Sequence, residues 1–322
     1  MNRIASGLLV AVIAAVCFGA AGIAVKPLFE IGWTPTAAVI ARMVIAFAVL
    51  ALPACIALHW DVRPLWRARW LVVGYAVLGV ACTQVGYYAA IELIPVSMGL
   101  LIEYLAPIVI VLTLWAVTKR APQRVVLVGA GLALIGLVFV INPAGGTVNP
   151  LGVGFALVAM VGLCGYFVIA GKIEGRVPPV ALVWAGFGIG APLLGVIAAL
   201  GVLPARVGFG NVALFGASVP WWVSILAVGV LGTAVPYYCG VTAIRLLGSR
   251  LASFVGLAEV LSAALLGWLV LGEVLSPLQL LGGAVLLAGV VCVKLERAVT
   301  PVAPLAPPVL DEPDPYRVQQ PA

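Results

Sequence analysis

The chain has 322 residues, of which 64% are hydrophobic and 9% charged, with a mean hydropathy of +1.25 and a formal net charge of +6. Soluble domains carry about 25% charged residues, so this composition excludes a fold surrounded by water. The six cysteines lie inside apolar runs and never in CxxC spacing, which argues against a disulfide framework, a zinc site or any other metal centre and leaves them as small packing residues.

Ten apolar segments follow in order: 4–25, 35–58, 69–91, 95–118, 124–141, 150–171, 179–203, 219–244, 249–272 and 277–294. Each approaches the ~20 residues a bilayer crossing needs. Their hydrophobicity is continuous rather than alternating, which predicts helices and not a barrel. The first segment follows Arg3 as a leader would. It has no A-x-A site, however, and Val16 is too large for a lipobox before Cys17, so it reads as a span. In the seventh segment Gly186 and Gly190 form a GxxxG pair, suited to close packing within the bundle or between protomers of a homodimer. Residues 298–322, rich in proline and polar groups, read as a disordered tail.

Orientation follows from Lys and Arg. With the N-terminus cytoplasmic, the inside set is Arg3, Arg63, Arg67, Arg69, Lys119, Arg120, Arg124, Lys172, Arg176, Arg245, Arg250, Lys294, Arg297 and Arg317. Only Lys26 and Arg206 fall outside, and Arg42 lies within a span. The expectation is a multi-pass protein of the inner (plasma) membrane with both ends cytoplasmic. Basic loops facing an anionic leaflet explain the net charge, and no nucleic-acid partner is required.

The two halves are similar. Residues 124–141 align with 277–294 at an offset of 153, which also pairs Gly79 with Gly232 and Ile91 with Ile244; in the first spans an offset of 146 pairs Lys26 with Lys172. Five spans per half is odd, so the second copy must enter the membrane inverted. The charges follow: Lys119-Arg120 stand where the second half has Gly272-Glu273, and Glu92 stands opposite Arg245. The expected fold is therefore all-α, with ten transmembrane helices in two inverted five-helix repeats. Residues 1–141 form the first, 142–149 an outer linker, 150–297 the second and 298–322 the tail. Inverted repeats of this kind place a solute site near the midplane.

The segments Leu257-Ala258-Glu259-Val260, LLGWLVLGE at 265–273 and Thr233-Ala234-Val235-Pro236-Tyr237, with the glycine-rich fifth and tenth spans, resemble the EamA-like branch of the drug/metabolite transporter superfamily over about residues 5–295. Val260 departs from the family's usual proline, which the first half keeps as Pro107. Lys119-Arg120 departs from a frequent Gly-Glu. The stretch Leu101-Ile102-Glu103-Tyr104-Leu105-Ala106-Pro107 also resembles the threonine/homoserine exporter branch. The resemblance implies a secondary transporter, with export of amino acids or related compounds.

Charges within spans cost about 2.5–3.5 kcal/mol on insertion scales, so Arg42, Glu103 and Glu259 stand out. Glu103 and Glu259 lie about one helical turn apart in equivalent spans and should share one central cavity. There they would bind a substrate ammonium or a proton; as structural groups they would bond a neighbouring helix. A carboxyl withdrawn from water takes up a proton more readily, which suits proton-coupled export. Arg42 could meet a substrate carboxylate, pair with a glutamate or snorkel. Gln84, Tyr87 and Tyr88 share one helix face, and Tyr237 and Tyr238 lie at similar depth in the eighth span. All five are candidates for lining a pore, or for core packing with satisfied hydroxyls. Pro107 and Pro236 cannot donate to the carbonyls of Glu103 and Gly232, which fits kinks with a gating role or simple curvature.

Other classes fit less well. The nearest approach to a P-loop, Gly165 to Gly171-Lys172, has the wrong spacing and lies in a span. The single histidine, His59, sits at an interface, and no HExxH, GxSxG or paired-aspartate motif is present. Neither an enzyme nor a cofactor is expected. A channel-like facilitator and a broad drug-efflux carrier stand as alternatives to a metabolite exporter.

Overall fold

In the computed structural model the structure describes residues 3–119, 121–141, 148–173, 175–214, 216–247 and 255–294. Arg120, Arg250, Arg297, Arg317, most of the 142–149 linker, the start of the ninth segment and the 298–322 tail lie outside the described residues.

The fold is helical and layered without a polar shell. The helices are α1 (Arg3–Glu30), α2 (Pro35–Ala57), a short α3 (Arg63–Arg67), α4 (Arg69–Gly74), α5 (Thr83–Leu93), α6 (Val96–Glu103), α7 (Ala106–Thr118), α8 (Arg124–Ile141), α9 (Pro150–Ile173), α10 (Pro179–Ala199), α11 (Trp221–Gly229), α12 (Val235–Leu247), α13 (Ala258–Leu271) and α14 (Pro277–Lys294). Among the described residues seven helical rods are long and apolar enough to cross a membrane: Ile4–Glu30, Pro35–Ala57, Arg69–Leu93, Val96–Thr118, Pro150–Ile173, Pro179–Ala199 and Trp221–Leu247. Three further apolar helices, Arg124–Val140, Ala258–Leu271 and Pro277–Cys292, are shorter. Large apolar side chains such as Leu52, Val117 and Leu269 are more than 60% exposed. That is stable only against lipid.

Three rods are interrupted, and the interruptions correspond between the halves. A π-helical stretch, Tyr75–Cys82, joins α4 to α5, and another, Val230–Ala234, joins α11 to α12. At the offset of 153 they overlap around Gly79 and Gly232. At the end of the first and within the second, a threonine hydroxyl donates to the carbonyl five residues back: Thr83 to Leu78 (3.1 Å) and Thr233 to Val228 (2.8 Å). The α6–α7 rod breaks at Tyr104–Leu105, before Pro107, and a turn at Leu257 precedes α13 at the equivalent position. Lys119 and Gly272, again 153 apart, both end their helices in the left-handed conformation (φ 57° and 66°).

Packing repeats the correspondence. Helix α1 packs on α12 and α13, as α9 packs on α5 and α6. The pairs α2·α10 and α8·α14 join equivalent helices directly, and both run antiparallel. Gly188 abuts Phe47 while Gly190 abuts Met43, and Gly282 meets Phe139 while Gly289 meets Gly129 and Ala133. The α8·α14 seam depends on glycine: a Cβ at Gly136 would sit 2.5 Å from the Leu286 nitrogen and 2.6 Å from the Gly282 oxygen, backbone atoms that cannot move aside. Gln279 adds a bond from its Nε2 to the Val140 carbonyl (3.3 Å).

One feature departs from the sequence expectation. The α10–α11 connection, expected as plain loop, contains an antiparallel hairpin of β1 (Asn211–Leu214) and β2 (Ala217–Pro220). It docks on the α1–α2 turn through Trp33 Nε1 to the Gly208 carbonyl (2.8 Å) and Arg206 N to Thr34 Oγ1 (3.0 Å). A connection this long gains backbone partners by pairing with itself. The GxxxG pair takes the first of the two uses the sequence left open, packing within the bundle. Gly186 faces Tyr75 and Val80, and Gly190 faces Met43 and Ala76, so this face is used inside the bundle and is not free to join protomers.

Candidate functional site

The interrupted rods surround a cavity of about 330 Å³. Its wall comes from α1, α2, the α4–α5 rod, the α6–α7 rod, α9, α12 and the start of α13. The breaks and π-helical stretches are thus gathered at one place, where disrupted helical bonding frees backbone groups and re-aims side chains.

Of the residues singled out in the sequence, Arg42, Gln84, Tyr87, Glu103, Pro107, Pro236, Tyr237 and Glu259 line the cavity. Tyr88 does not: it is fully buried one step behind the wall, against Arg42. Tyr238 is 49% exposed and turns away, because adjacent residues on a helix point about 100° apart.

Glu103 ends α6, and among the described residues its carboxylate has no hydrogen-bond partner. Glu259, in the first turn of α13, accepts a bond from the Tyr104 hydroxyl at 2.8 Å; the same hydroxyl lies 3.3 Å from the Gly256 carbonyl. Tyr104 therefore ties the break in one half to the break in the other. Glu103 lies within electrostatic range of both Glu259 and Arg42.

Arg42 is 3% exposed. Its Nε donates to Thr233 Oγ1 (2.8 Å), its Nη1 to the Tyr88 hydroxyl and its Nη2 to the Gly232 carbonyl (3.3 Å), and the guanidinium stands 4.9 Å from the Tyr88 ring centre. The Gly232 carbonyl is the one that Pro236 deprives of its helical donor; Arg42 supplies the replacement. The guanidinium is thus held by neutral groups, and no ion pair to either glutamate is found among the described residues.

Aromatic rings complete the wall. Tyr237 accepts from Gln84 Nε2 at 3.2 Å and packs edge-on against Phe18 and Phe187 at 5.0 and 5.3 Å. Tyr104, Tyr166, Phe167 and Phe18 line the cavity as well; sequence reasoning passed over these four. Tyr104 follows Glu103 directly, and its place beside a proline-induced break was the available signal. Among the described residues no group of three or more His, Cys, Asp or Glu side chains could hold a metal.

A second constellation lies outside the cavity lining. Lys26, late in α1, pairs with Glu273, just past α13. The other oxygen of Glu273 accepts from the backbone N of Val96, at the start of α6 (3.0 Å). Gly272 makes this geometry: its left-handed φ lets Glu273 N turn back to the Gly267 carbonyl (3.0 Å), a C-terminal cap that re-aims the next side chain. One carboxylate thereby joins three elements. The sequence placed Lys26 and Glu273 at one membrane face but did not pair them.

Comparison with known proteins agrees with this architecture. The EamA-like transporter family matches over residues 5–142 and again over 150–295. An uncharacterized transporter of Archaeoglobus fulgidus is 27% identical over 279 residues, covering 87% of this chain and 93% of the relative. The uncharacterized transporter YwfM of Bacillus subtilis is 28% identical over 287 residues, covering 87% and 91%. A solved crystal structure shares the fold with a TM-score of 0.55 at 22% identity, over 89% of this chain and 96% of the other. Helices suited to a membrane, two interrupted halves around one cavity and these matches lead to one conclusion: the chain belongs to the EamA-like transporter family.

Proposed function

We propose that this protein is a ten-span secondary carrier of the inner (plasma) membrane, with both termini cytoplasmic. It exports small amino-bearing metabolites, amino acids or related compounds, by alternating access in exchange for protons. The placement of Glu103 and Glu259 supports this most directly: two carboxyls on equivalent broken rods face one aromatic cavity. An ammonium group is attracted by carboxylates and by ring faces, and a site that can hold either an ammonium or a proton couples the two by competition.

Ten crossings are supported by geometry. Helices α8 and α14 have 18 residues each, about 27 Å of rise against a hydrocarbon core of about 30 Å. The antiparallel α2·α10 and α8·α14 pairs join sequence-equivalent helices, as inversion of residues 150–297 relative to 1–141 requires. The cavity is lined by the parts of α1, α9 and α12 nearer the expected cytoplasmic face, while the Lys26–Glu273–Val96 clasp ties the outer face. A cytoplasm-facing state with a closed outer gate matches this arrangement. The inverted counterparts of the clasp residues are Lys172 and Arg120, like charges that cannot form the same clasp, which biases the carrier toward that state.

Two measurements test the proposal. Purified protein in liposomes should give saturable counterflow of a labelled amino acid or amine from a panel, accelerated by a pH gradient. Flux that rises linearly with solute and ignores the trans side would mark a channel, and absence of flux across the panel would overturn the transport assignment. Second, Ser97 follows Val96 of the clasp and is 2% exposed, so Ser97→Cys reports access there. In a background without native cysteines it should resist an impermeant thiol reagent added outside, and Glu273→Gln should speed its labelling several-fold. Equal labelling with and without Glu273 would remove the clasp as a gate.

A further inference from the structure

The segment from the end of α2 to the start of α4 takes no part in the cavity, yet it is chemically distinctive. Trp60, Trp66 and Trp70 are 74%, 71% and 77% exposed. They are interspersed with Arg63, Arg67 and Arg69, and the Arg69 guanidinium lies 5.6 and 5.9 Å from the rings of Trp66 and Trp70. A second cavity, about 410 Å³, opens beside them, lined by Pro64, Arg67, Ala68, Trp70, Leu71 and, from the α9–α10 connection, Arg176. Two arginines from different halves of the chain thus converge on one concavity. Among the described residues neither has a carboxylate partner; Asp61, the acid nearest in sequence to Arg63 and Arg67, is turned to the backbone N of Arg63 (2.9 Å).

We propose that this pocket binds the phosphodiester headgroup of an anionic phospholipid. Planar guanidinium forks suit phosphate oxygens, which accept paired N–H bonds from them. Indole rings settle at the headgroup level, where an apolar body and a polar N–H are both accommodated. Trp70 and Leu71 meet the glycerol and upper acyl region while Arg67 and Arg176 hold the phosphate. Basic pockets between transmembrane helices on the cytoplasmic side are suited to such headgroups. The corresponding connection on the other face contrasts with it. It contains Arg206 alone, bound through its backbone to Thr34 and followed by the β1–β2 hairpin. The pocket is separate from the solute cavity, so its occupant need not be transported.

Native mass spectrometry of the whole protein with phosphatidylglycerol or phosphatidylcholine tests the assignment. Wild type should retain phosphatidylglycerol selectively. The double variant Arg67→Gln/Arg176→Gln should lose about tenfold or more of that retention, while Arg206→Gln keeps it. Equal retention of the two lipids, or retention by the double variant, would overturn the proposal. Thermal shifts with inorganic phosphate and glycerol 3-phosphate separate the sources. Stabilisation by these soluble anions equal to that by phosphatidylglycerol, and lost in the double variant, would make this a soluble-phosphate site and overturn the lipid assignment.

Discussion

Glu103→Gln and Glu259→Gln should each abolish pH-coupled transport while the protein still inserts and folds. The structure explains why activity and folding separate here. Glu103 faces the cavity with no hydrogen-bond partner among the described residues, so an amide of equal size disturbs no bond. Glu259 accepts from Tyr104, and glutamine keeps an acceptor oxygen. What both variants lose is the charge. A hydrogen bond to a charged group contributes about 1.5–3 kcal/mol, so solute affinity should fall about tenfold to a hundredfold, and the exchangeable proton disappears entirely. Counterflow and pH-jump uptake in liposomes measure both effects. Normal, pH-responsive flux in both variants would remove the coupling. Tyr104→Phe separates position from charge: it keeps both carboxyls, removes the Tyr104 hydroxyl bond to Glu259 and should weaken transport without uncoupling it.

Much of this was legible in the chain before any coordinates. Hydropathy and basic loops indicate membrane helices, because hydrocarbon excludes unpaired backbone and charge. The 153-residue offset is written in glycines and charges, and the same offset relates both π-helical stretches, both breaks and both left-handed caps. Glu103 and Glu259 stood out because charge within a span is costly. The side-chain partners were less legible. Thr233 looks like an ordinary helix residue; only the π-helical stretch turns its hydroxyl so that it gives its proton to Val228 and takes one from Arg42. Tyr237 and Tyr238 read alike in sequence, and only the rotation of α12 sends one into the cavity and the other outward. The pairing of Lys26 with Glu273 spans 247 residues, beyond any local pattern. The β1–β2 hairpin belongs to a long connection where hydropathy carries little information.

Arg42 is the residue whose anchoring the structure defines most fully. Its depth left three options open: a substrate carboxylate, a glutamate partner or snorkelling. Each of its three nitrogens donates one bond, to Thr233, Tyr88 and the carbonyl that Pro236 leaves open, so three of its five N–H groups anchor it to the protein. Arg42→Met should therefore destabilise the protein strongly, by about 3–5 kcal/mol, the range for removing one member of a buried charged network. The loss would appear as a large drop in thermal midpoint in detergent. Arg42→Lys should fall between, since a single ammonium cannot serve three acceptors set apart around a planar fork. Its flux per folded molecule should nevertheless stay within a few-fold of wild type. A substrate-binding arginine would behave in the opposite way: lysine would leave the thermal midpoint near wild type and collapse transport of carboxylate-bearing solutes while sparing simple amines. The comparison of amino acid with amine flux in this one variant thus decides whether the cavity presents two charges to its solute, both negative, or adds a third, positive one.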